Sequence, residues 1–388
     1  MEIPFARVRC VGNEVEYVRE VLESGWLTTG AKAMELERRF REAVGARFAC
    51  AVSSCTAALH LALDALRIGP GDKVIVPTMT FTATAEVIRY MGADPVFVDV
   101  EYGTCLLAPD LLEDVVARTP GAKAVMIVHF GGQAAPMLNG GRGAGLLEVC
   151  RRHGLRIVED AAHAFPTRLG NRMVGSLGDA TCFSFYANKT ITTGEGGMLV
   201  TEDEDLFERA RVMRLHGIDR DVWDRFRSRA AQWEYDVVAP GFKYNLPDIL
   251  AAVGLAQLEH AEELRSERQR CADFYYEHLR DIEGIDLPVC HGSPGDHSWH
   301  LFWIVLNGRS HVNRDRFIER MSAAGIGTSV HYKPLHHMSY YREQYGLRAG
   351  DYPNAERHWQ GVVSLPIYPS LGADELGYIC ETIRRVVE

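Results

Sequence analysis

The stretch "CFSFYANKTITTGEGGMLV", residues 182–200, places a lysine directly after an apolar and aromatic run. Beyond Lys189, a Gly-Glu-Gly-Gly turn leads into a second short apolar run. The chain has only six lysines among its 42 basic residues. Because a buried ammonium is costly, such a lysine is either paired or neutralised, and a Schiff base to a carbonyl cofactor is one way to neutralise it. Taken alone, the stretch also fits a lysine whose head reaches solvent at a strand end.

Short apolar runs alternate with helical patterns along the first 200 residues. The strand-like runs are "KVIVPTM", "PVFVDV", "AVMIVHF", "RIVED", "TCFSFY" and "MLVT", and the helical patterns are "CTAALHLALDAL", "FTATAEVIRYMG" and "GLLEVCRRHG". Continuous apolar strands separated by helices are typical of a mainly parallel sheet that is covered on both faces. We therefore predict an α/β fold with a large three-layer domain, whose ligands lie beyond the carboxyl ends of the strands.

The pattern changes in the last third of the chain. One long helix is predicted to start near Pro247, followed by a strand in "HLFWIVLNG" and a helix from an N-cap at Asn313 to a stop at Gly325. A last helix places Leu376, Ile379, Cys380, Ile383 and Val387 on one face. With 388 residues, the chain is predicted to form a large domain over residues 1–264 and a smaller α+β domain over residues 265–388.

Composition excludes several classes of protein. No apolar stretch approaches the roughly 18 residues that span a bilayer, and the amino terminus lacks a signal-peptide core, so a cytoplasmic location is expected. The nine cysteines follow no zinc spacing, and no metal site is predicted. A net charge of −10 argues against a nucleic-acid polymer as partner. No GxGxxG motif follows an early strand, which disfavours a nicotinamide dehydrogenase.

An acidic pair ends one of the predicted strands. In "RIVEDAAHAFP", Glu159 and Asp160 come where a parallel strand meets its ligand. A carboxylate at such a place can hold the ring nitrogen of pyridoxal phosphate (PLP) protonated, which makes the ring an electron sink. Asp160 and Lys189 are separated by one strand–loop–strand excursion, so both can face the same pocket. An acidic pair at a strand end is weak evidence by itself.

Two further segments complete the set of groups that PLP needs. Ser54, Cys55 and Thr56 begin a well-formed helix, whose free N–H groups suit a phosphate, although plain helix capping explains them equally well. Phe81 follows the next strand and could stack on a ring, or it could be a core phenylalanine. Together with Asp160 and Lys189, these residues assign every part of PLP: phosphate, ring face, ring nitrogen and aldehyde.

Longer motifs carry a family resemblance. The segments "SGWLTTG", "SSCTAALHLAL", "PTMTFTATAEVI", "VEDAAHA", "GSLGDATCFSFYANKTITTGEGGMLVT" and "GFKYNLPDILAAVGLAQLE" resemble those of the DegT-type sugar aminotransferases. These are fold-type I PLP enzymes that act on nucleotide-linked keto sugars. The resemblance runs from about residue 24 to the "SLPIYPSL" segment near residue 370.

The resemblance implies a role for each motif residue. It makes Lys189 the Schiff-base lysine and Asp160 the partner of the pyridine nitrogen. It places His163 near the ring hydroxyl, Phe81 on the ring face, and Ser54, Cys55, Thr56 and Ser184 at the phosphate. It also implies a homodimer in which Asn245 reaches the neighbouring subunit's phosphate. Cys55 stands where relatives more often carry glycine, and "HFGGQAAPM" departs from the pattern of relatives at one wall of the substrate pocket.

The same resemblance implies a reaction. L-Glutamate would be the amino donor, and dTDP would be the nucleotide. The sequence "NKTITTGEGG" favours amination at C4 of a 4-keto-6-deoxy sugar nucleotide over amination at C3 or dehydration. Candidate substrate contacts are Trp26, Thr28, His331, Tyr332 and His336, whereas His337 is expected to be a surface histidine. For Trp26 and Thr28, helix entry and core packing explain the residues equally well. The competing hypothesis from another class is a sugar-nucleotide-binding protein without turnover.

Overall fold

The computed structural model describes residues 2–140, 143–219 and 235–388. Twelve strands occur in this part of the chain: β1 (Phe48–Val52), β2 (Lys73–Pro77), β3 (Asp94–Val98), β4 (Ala122–Val128), β5 (Arg156–Asp160), β6 (Arg168–Leu169), β7 (Arg172–Met173), β8 (Ala180–Ser184), β9 (Gly197–Thr201), β10 (Ile285–Asp286), β11 (Phe302–Leu306) and β12 (Val362–Leu365). The six strands predicted between residues 73 and 201 are all present.

Seven strands form the main sheet in the order β1-β9-β8-β5-β4-β2-β3. Neighbours pair in parallel from β8 to β3, whereas β9 runs antiparallel to both β8 and β1. The central strands are apolar and buried on both faces, as expected of a sheet covered by helices on each side. The predicted α/β class with a mainly parallel sheet is confirmed.

Thirteen α-helices occur in the described chain: α1 (Glu14–Ser24), α2 (Ala31–Val44), α3 (Cys55–Ala65), α4 (Ala83–Tyr90), α5 (Pro109–Ala117), α6 (Leu146–His153), α7 (Glu204–Met213), α8 (Asp248–Glu259), α9 (Ala261–Leu279), α10 (Arg314–Ala323), α11 (Ser339–Tyr345), α12 (Pro353–Gly361) and α13 (Ala373–Val387). Asn313 caps α10 by accepting a hydrogen bond from the backbone N–H of Arg316, as predicted. Among these helices, none has the length and apolar character that crossing a bilayer requires.

The single long helix predicted from Pro247 is wrong. The segment forms α8 and α9, which are separated at His260, where φ is −113° and ψ is 13°. The two helices have different neighbours, since α8 packs on α1 and α2 while α9 packs on α13. The break lets each helix follow its own packing partners, a tertiary effect that local helix propensity does not report.

A second sheet, in the order β10-β11-β12, is antiparallel and belongs to the C-terminal part of the chain. Its apolar core is built with α9, α10 and α13, and it includes Tyr275, Phe302, Phe317 and Ile383. The predicted domain boundary near residue 264 falls inside α9, and the division into two domains stays a prediction.

Candidate active site

Lys189 and Asp160 meet at the carboxyl ends of two adjacent parallel strands. Asp160 is the last residue of β5 and pairs in register with Cys182 of β8. After β8 ends at Ser184, a turn closed by the hydrogen bond from Lys189 N to Tyr186 O carries the lysine back over the same sheet edge. In α/β folds, ligands bind just beyond the carboxyl ends of the parallel strands.

Lys189 lies in a water-poor pocket. Its Nζ is 3.2 Å from Nε2 of His300, and both residues line a small cavity with His163 and Ser184. Burial lowers the pKa of Lys189 to about 8, although the nearby Cys55 and Asp160 oppose this shift. About a tenth of the lysine is therefore a neutral amine at pH 7 and about half at pH 8, and a neutral amine is the nucleophilic form.

Asp160 is buried and held by two donors. Thr84 donates from its hydroxyl to Oδ2 at 2.7 Å, and the backbone N–H of Ala162 donates to Oδ1 at 3.1 Å. Burial raises the pKa of Asp160, although these two bonds and the Lys189 charge oppose the shift. Because water cannot solvate the buried Asp160 carboxylate, a cationic N–H donor would stabilise its ionised form.

His163 is a neutral hydrogen-bonding link between two chain segments. Its Nδ1 accepts a hydrogen bond from the backbone N–H of Gly131 at 3.2 Å, and its Nε2 is 3.0 Å from the hydroxyl oxygen of Tyr332. Burial and the Lys189 charge hold the pKa of His163 well below its ordinary value. Since Nδ1 accepts, the proton of neutral His163 resides on Nε2 and is donated to Tyr332.

His300 and Thr84 were not identified from the sequence. The His300 ring lies 4.4 Å from the His163 ring between centroids, and its buried Nδ1 has no hydrogen-bond partner among the described residues. The pKa of His300 lies well below its ordinary value, mainly because the ring is buried and also because of the nearby Lys189 charge. The signal available for His300 was a histidine immediately before the apolar run of β11. Thr84 carried no signal beyond its place in the first turn of α4.

The amino terminus of α3 forms a cradle beside the end of the sheet. Ser54 caps the helix by accepting from the backbone N–H of Ala57, which leaves the N–H groups of Cys55 and Thr56 without an intrahelical acceptor. Cys55 is buried against β8, where its thiol donates to the carbonyl of Cys182 at 3.5 Å. A Cβ on Gly197 would lie 2.6 Å from the Cys55 nitrogen, so only glycine allows β9 to approach this helix start.

Phe81 stands at the rim of the pocket. Its side chain is 56% exposed, and its ring lies 5.8 Å from the ring of Tyr332. Ser184 is half-buried, and its hydroxyl accepts from the backbone N–H of Tyr186 at 3.3 Å. An exposed aromatic face beside a buried carboxylate is suited to stacking on a flat ligand.

These groups fit PLP. Asp160 would meet the ring nitrogen, and Lys189 would meet the aldehyde. Free N–H groups of Cys55 and Thr56, with Ser184, would receive the phosphate, and Phe81 would cover the ring. Two further features would not be needed in an apolar core. The buried Nδ1 of His300 has no hydrogen-bond partner among the described residues, and Gly197 lets β9 pass close to the start of α3.

Three predicted site residues occupy a separate corner. Asn245 pairs with Val52 through a backbone bridge, and its Nδ2 donates to the Thr29 hydroxyl at 2.8 Å. Trp26 donates from Nε1 to the Thr29 carbonyl at 3.1 Å, and the carbonyl of Thr28 accepts from the backbone N–H of Asp248 at 3.2 Å. In the part of the chain that the structure describes, no hydrogen bond or ring contact joins this corner to Lys189.

The three predicted contacts in "TSVHYKPLH" differ in position. Tyr332 joins the pocket through His163, as described above. His331 stacks on Phe5 and lies 2.8 Å from the Ser364 hydroxyl through Nδ1. His336 is buried, with Nδ1 2.8 Å from the Thr78 hydroxyl and Nε2 3.3 Å from Glu356. The structure therefore joins Tyr332 to the pocket of Lys189 through His163 and gives His336 partners of its own elsewhere.

Comparison with known proteins identifies the family. The model of the DegT/DnrJ/EryC1/StrS aminotransferase family matches residues 9–384. The chain is 42% identical over 388 residues to the spore coat polysaccharide biosynthesis protein SpsC of Bacillus subtilis, covering 100% of this chain and 97% of SpsC.

Solved structures agree with this assignment. The PMP form of the candidate sugar aminotransferase Spr1654 of Streptococcus pneumoniae superimposes with a TM-score of 0.91 at 33% identity, covering 100% of this chain and 99% of that one. Its PLP form gives a TM-score of 0.89 at 32% identity with the same coverage. PseC of Helicobacter pylori, an aminotransferase involved in pseudoaminic acid biosynthesis, gives 0.89 at 25% identity, covering 100% and 99%. The chain thus belongs to the DegT/DnrJ/EryC1/StrS aminotransferase family and is a PLP-dependent sugar aminotransferase of fold type I.

Proposed function

We propose that the enzyme moves the amino group of L-glutamate to C4 of a nucleotide-linked 4-keto-6-deoxyhexose, with dTDP as the nucleotide. The product would be a 4-amino-4,6-dideoxy sugar nucleotide. The observation that carries amino transfer is the position of Lys189, just beyond the end of β8 with its Nζ 3.2 Å from Nε2 of His300, next to the strand that ends in the buried Asp160. The choice of C4 is supported by the sequence "NKTITTGEGG" around the lysine.

Lys189 has two tasks in this proposal. It holds the cofactor between turnovers, and it carries a proton as a general base while the amino group is transferred. PLP, when bound, supplies the aldehyde that takes up the amino group and a ring that accepts electrons from the substrate carbon. A pKa of about 8 suits Lys189 to accept and return a proton near neutral pH, because general bases work best when their pKa is near the working pH.

Asp160 and His163 tune the same pocket without exchanging protons with the substrate. Asp160 holds a proton at the ring nitrogen, and Thr84 fixes the orientation of its carboxylate. His163 donates to the Tyr332 hydroxyl, whose pKa burial raises above its ordinary value. Tyr332 therefore keeps its own proton and can donate it toward a ligand oxygen, which is the basis for its proposed role as a substrate contact.

A homodimer is part of the proposal. Asn245, Trp26 and Thr28 would serve the neighbouring subunit's site, with Asn245 at the phosphate and the other two beside the nucleotide. Support comes from the hydrogen bonds that hold these residues together: Asn245 and Trp26 both bond to Thr29, and the carbonyl of Thr28 accepts from Asp248. An active monomer in light scattering under assay conditions would contradict this arrangement.

Relatives with named pathways support a role in making glycans. SpsC acts in spore coat polysaccharide biosynthesis, and PseC in pseudoaminic acid biosynthesis. We propose that the present enzyme likewise supplies an amino sugar to a glycan or a glycosylated product.

The test is an assay with glutamate and a matched pair of sugar nucleotides, one carrying a 4-keto group and the other a 3-keto group. The proposal expects conversion of the 4-keto sugar and an amine at C4 in the product structure. Preferential conversion of the 3-keto sugar would assign the amination to C3 instead of C4. A product that has lost water and carries no new amine would indicate dehydration. A protein that binds both sugars and converts neither would support the non-catalytic alternative.

A further inference from the structure

A cluster of two histidines and one carboxylate lies outside the pocket of Lys189. His336 and His337 belong to the short helical turn Leu335–His337, and Glu356 belongs to α12. Nε2 of His337 is 2.6 Å from Oε2 of Glu356, and Nε2 of His336 is 3.3 Å from the same oxygen. Each residue offers one ligand atom, and the three atoms lie within 4.8 Å of one another.

The surroundings fix the orientation of these side chains. The His336 ring stacks on Tyr352 at 4.8 Å between centroids, and its Nδ1 is 2.8 Å from the Thr78 hydroxyl. The other oxygen of Glu356 accepts a hydrogen bond from Gln360 at 3.2 Å. A ligating histidine is commonly oriented in this way, through a hydrogen bond at its second ring nitrogen.

The charge of the cluster favours a cation. The carboxylate of Glu356 is shared by both imidazoles, with its Oε2 3.3 Å from Nε2 of His336 and 2.6 Å from Nε2 of His337. The side chains of His337 and Glu356 are 28% and 22% exposed, so water can reach the open side of the cluster. Two imidazoles, one carboxylate and an accessible fourth position form a ligand set that Zn²⁺ takes in proteins.

We propose that His336, His337 and Glu356 bind a divalent cation of the Zn²⁺ class, with water as the fourth ligand. The site ties the turn at Leu335 and helix α12 to the large sheet. The backbone N–H of Leu335 donates to the carbonyl of Thr78 directly after β2, and Asp99, directly after β3, accepts from the backbone N–H groups of Asn354 and Ala355. A bound cation would cross-link the turn Leu335–His337 and helix α12, which are already in contact.

The experiment is a calorimetric titration of the full-length, PLP-loaded, chelator-treated protein with Zn²⁺, followed by Co²⁺ absorption spectra. The wild type is expected to bind one equivalent per chain and to give the visible bands of a tetrahedral Co²⁺ site. His337→Gln should weaken Zn²⁺ binding by about tenfold or more and remove those bands, because losing even a supporting partner of a metal ligand costs about 10–100-fold in affinity. Glu356→Gln, which keeps size, should act in the same direction.

The matched control is His153→Gln. Nε2 of His153 lies 2.6 Å from Oε2 of Glu113 with similar exposure, but within the described residues this pair has no second histidine to complete a three-ligand group. It should bind Zn²⁺ as the wild type does. Melting curves report whether each variant is folded. No stoichiometric binding by the wild type, or equal affinities of wild type and the folded His337→Gln variant, would overturn the proposal and leave a hydrogen-bonded cluster.

Discussion

Two histidine pairs in this molecule have nearly the same ring geometry and different surroundings. The rings of His163 and His300 lie 4.4 Å apart with an interplanar angle of 37°, and those of His336 and His337 lie 4.6 Å apart at 42°. The first pair faces the amine of Lys189, whereas the second faces the carboxylate of Glu356.

The neighbouring charge, more than ring geometry, decides what each histidine pair can do. Burial and the Lys189 charge both hold the pKa values of His163 and His300 well below the ordinary range, so this pair acts through neutral hydrogen bonds. At the second pair, the carboxylate of Glu356 contacts both imidazoles and supplies a negative charge that a bound cation can neutralise. The pairs should therefore respond to different substitutions.

Lys189→Ala is expected to have the largest effect, because it removes the charge that acts on His163 and His300. We expect amination of every keto sugar to fall to background, because both the holder of the cofactor and the general base are lost. Turnover is measured with saturating PLP and glutamate. Lys189→Arg, which keeps a positive charge without a neutral amine, should be equally inactive, and retained turnover in either variant would refute the assignment.

Asp160→Asn removes the buried negative charge of the same pocket while keeping its shape. Truncating one partner of a buried, hydrogen-bonded charge pair costs about 2–5 kcal/mol, so we expect roughly 30- to 5,000-fold loss in turnover. Thr84→Val leaves the carboxylate and removes one donor to it, and should cost less. An Asp160→Asn enzyme with wild-type turnover would exclude the ring-nitrogen role.

The pH dependence of PLP uptake by the apoprotein tests whether Lys189 is a partly neutral amine near neutral pH. Burial lowers its pKa to about 8, so the neutral, reactive form increases about tenfold per pH unit below 8 and levels off above it. The rate of uptake, followed by absorbance, should show the same profile. A rate that keeps rising to pH 10 would show an ordinary, solvated lysine.

Tyr332→Phe should have the smallest effect. It removes the oxygen that accepts from His163, a hydrogen bond of ordinary strength worth about 0.5–1.5 kcal/mol, or roughly 2- to 12-fold in kcat/KM. Tyr244→Phe is the matched control, because Tyr244 contacts His60 at 3.1 Å outside the pocket. Equal kcat/KM values for the two variants would remove Tyr332 from the substrate site.

Local patterns predicted much of this structure. Strands β2, β3, β4, β5, β8 and β9 were visible as short apolar runs, whereas the two-residue strands β6 and β7 were not predicted. The Asn313 cap was visible as a start signal, because such signals depend on residues close in sequence. Lys189 and Asp160 could be paired from the sequence since β5 and β8 are neighbours in a parallel sheet.

Contacts between distant segments were not predictable in the same way. His300 reaches Lys189 from 111 residues away, and His336 meets Glu356 from another helix. The break at His260 depends on which helices α8 and α9 pack against. Each of these features is set by tertiary packing, and a single sequence carries no local sign of it.

The most direct test of the account is reduction of the PLP-loaded protein with borohydride, followed by peptide mapping. We expect a yellow protein that bleaches on reduction and a single peptide, containing Lys189, that carries the phosphopyridoxyl group. A colourless loaded protein, or a map in which Lys189 is free and another lysine is modified, would contradict it.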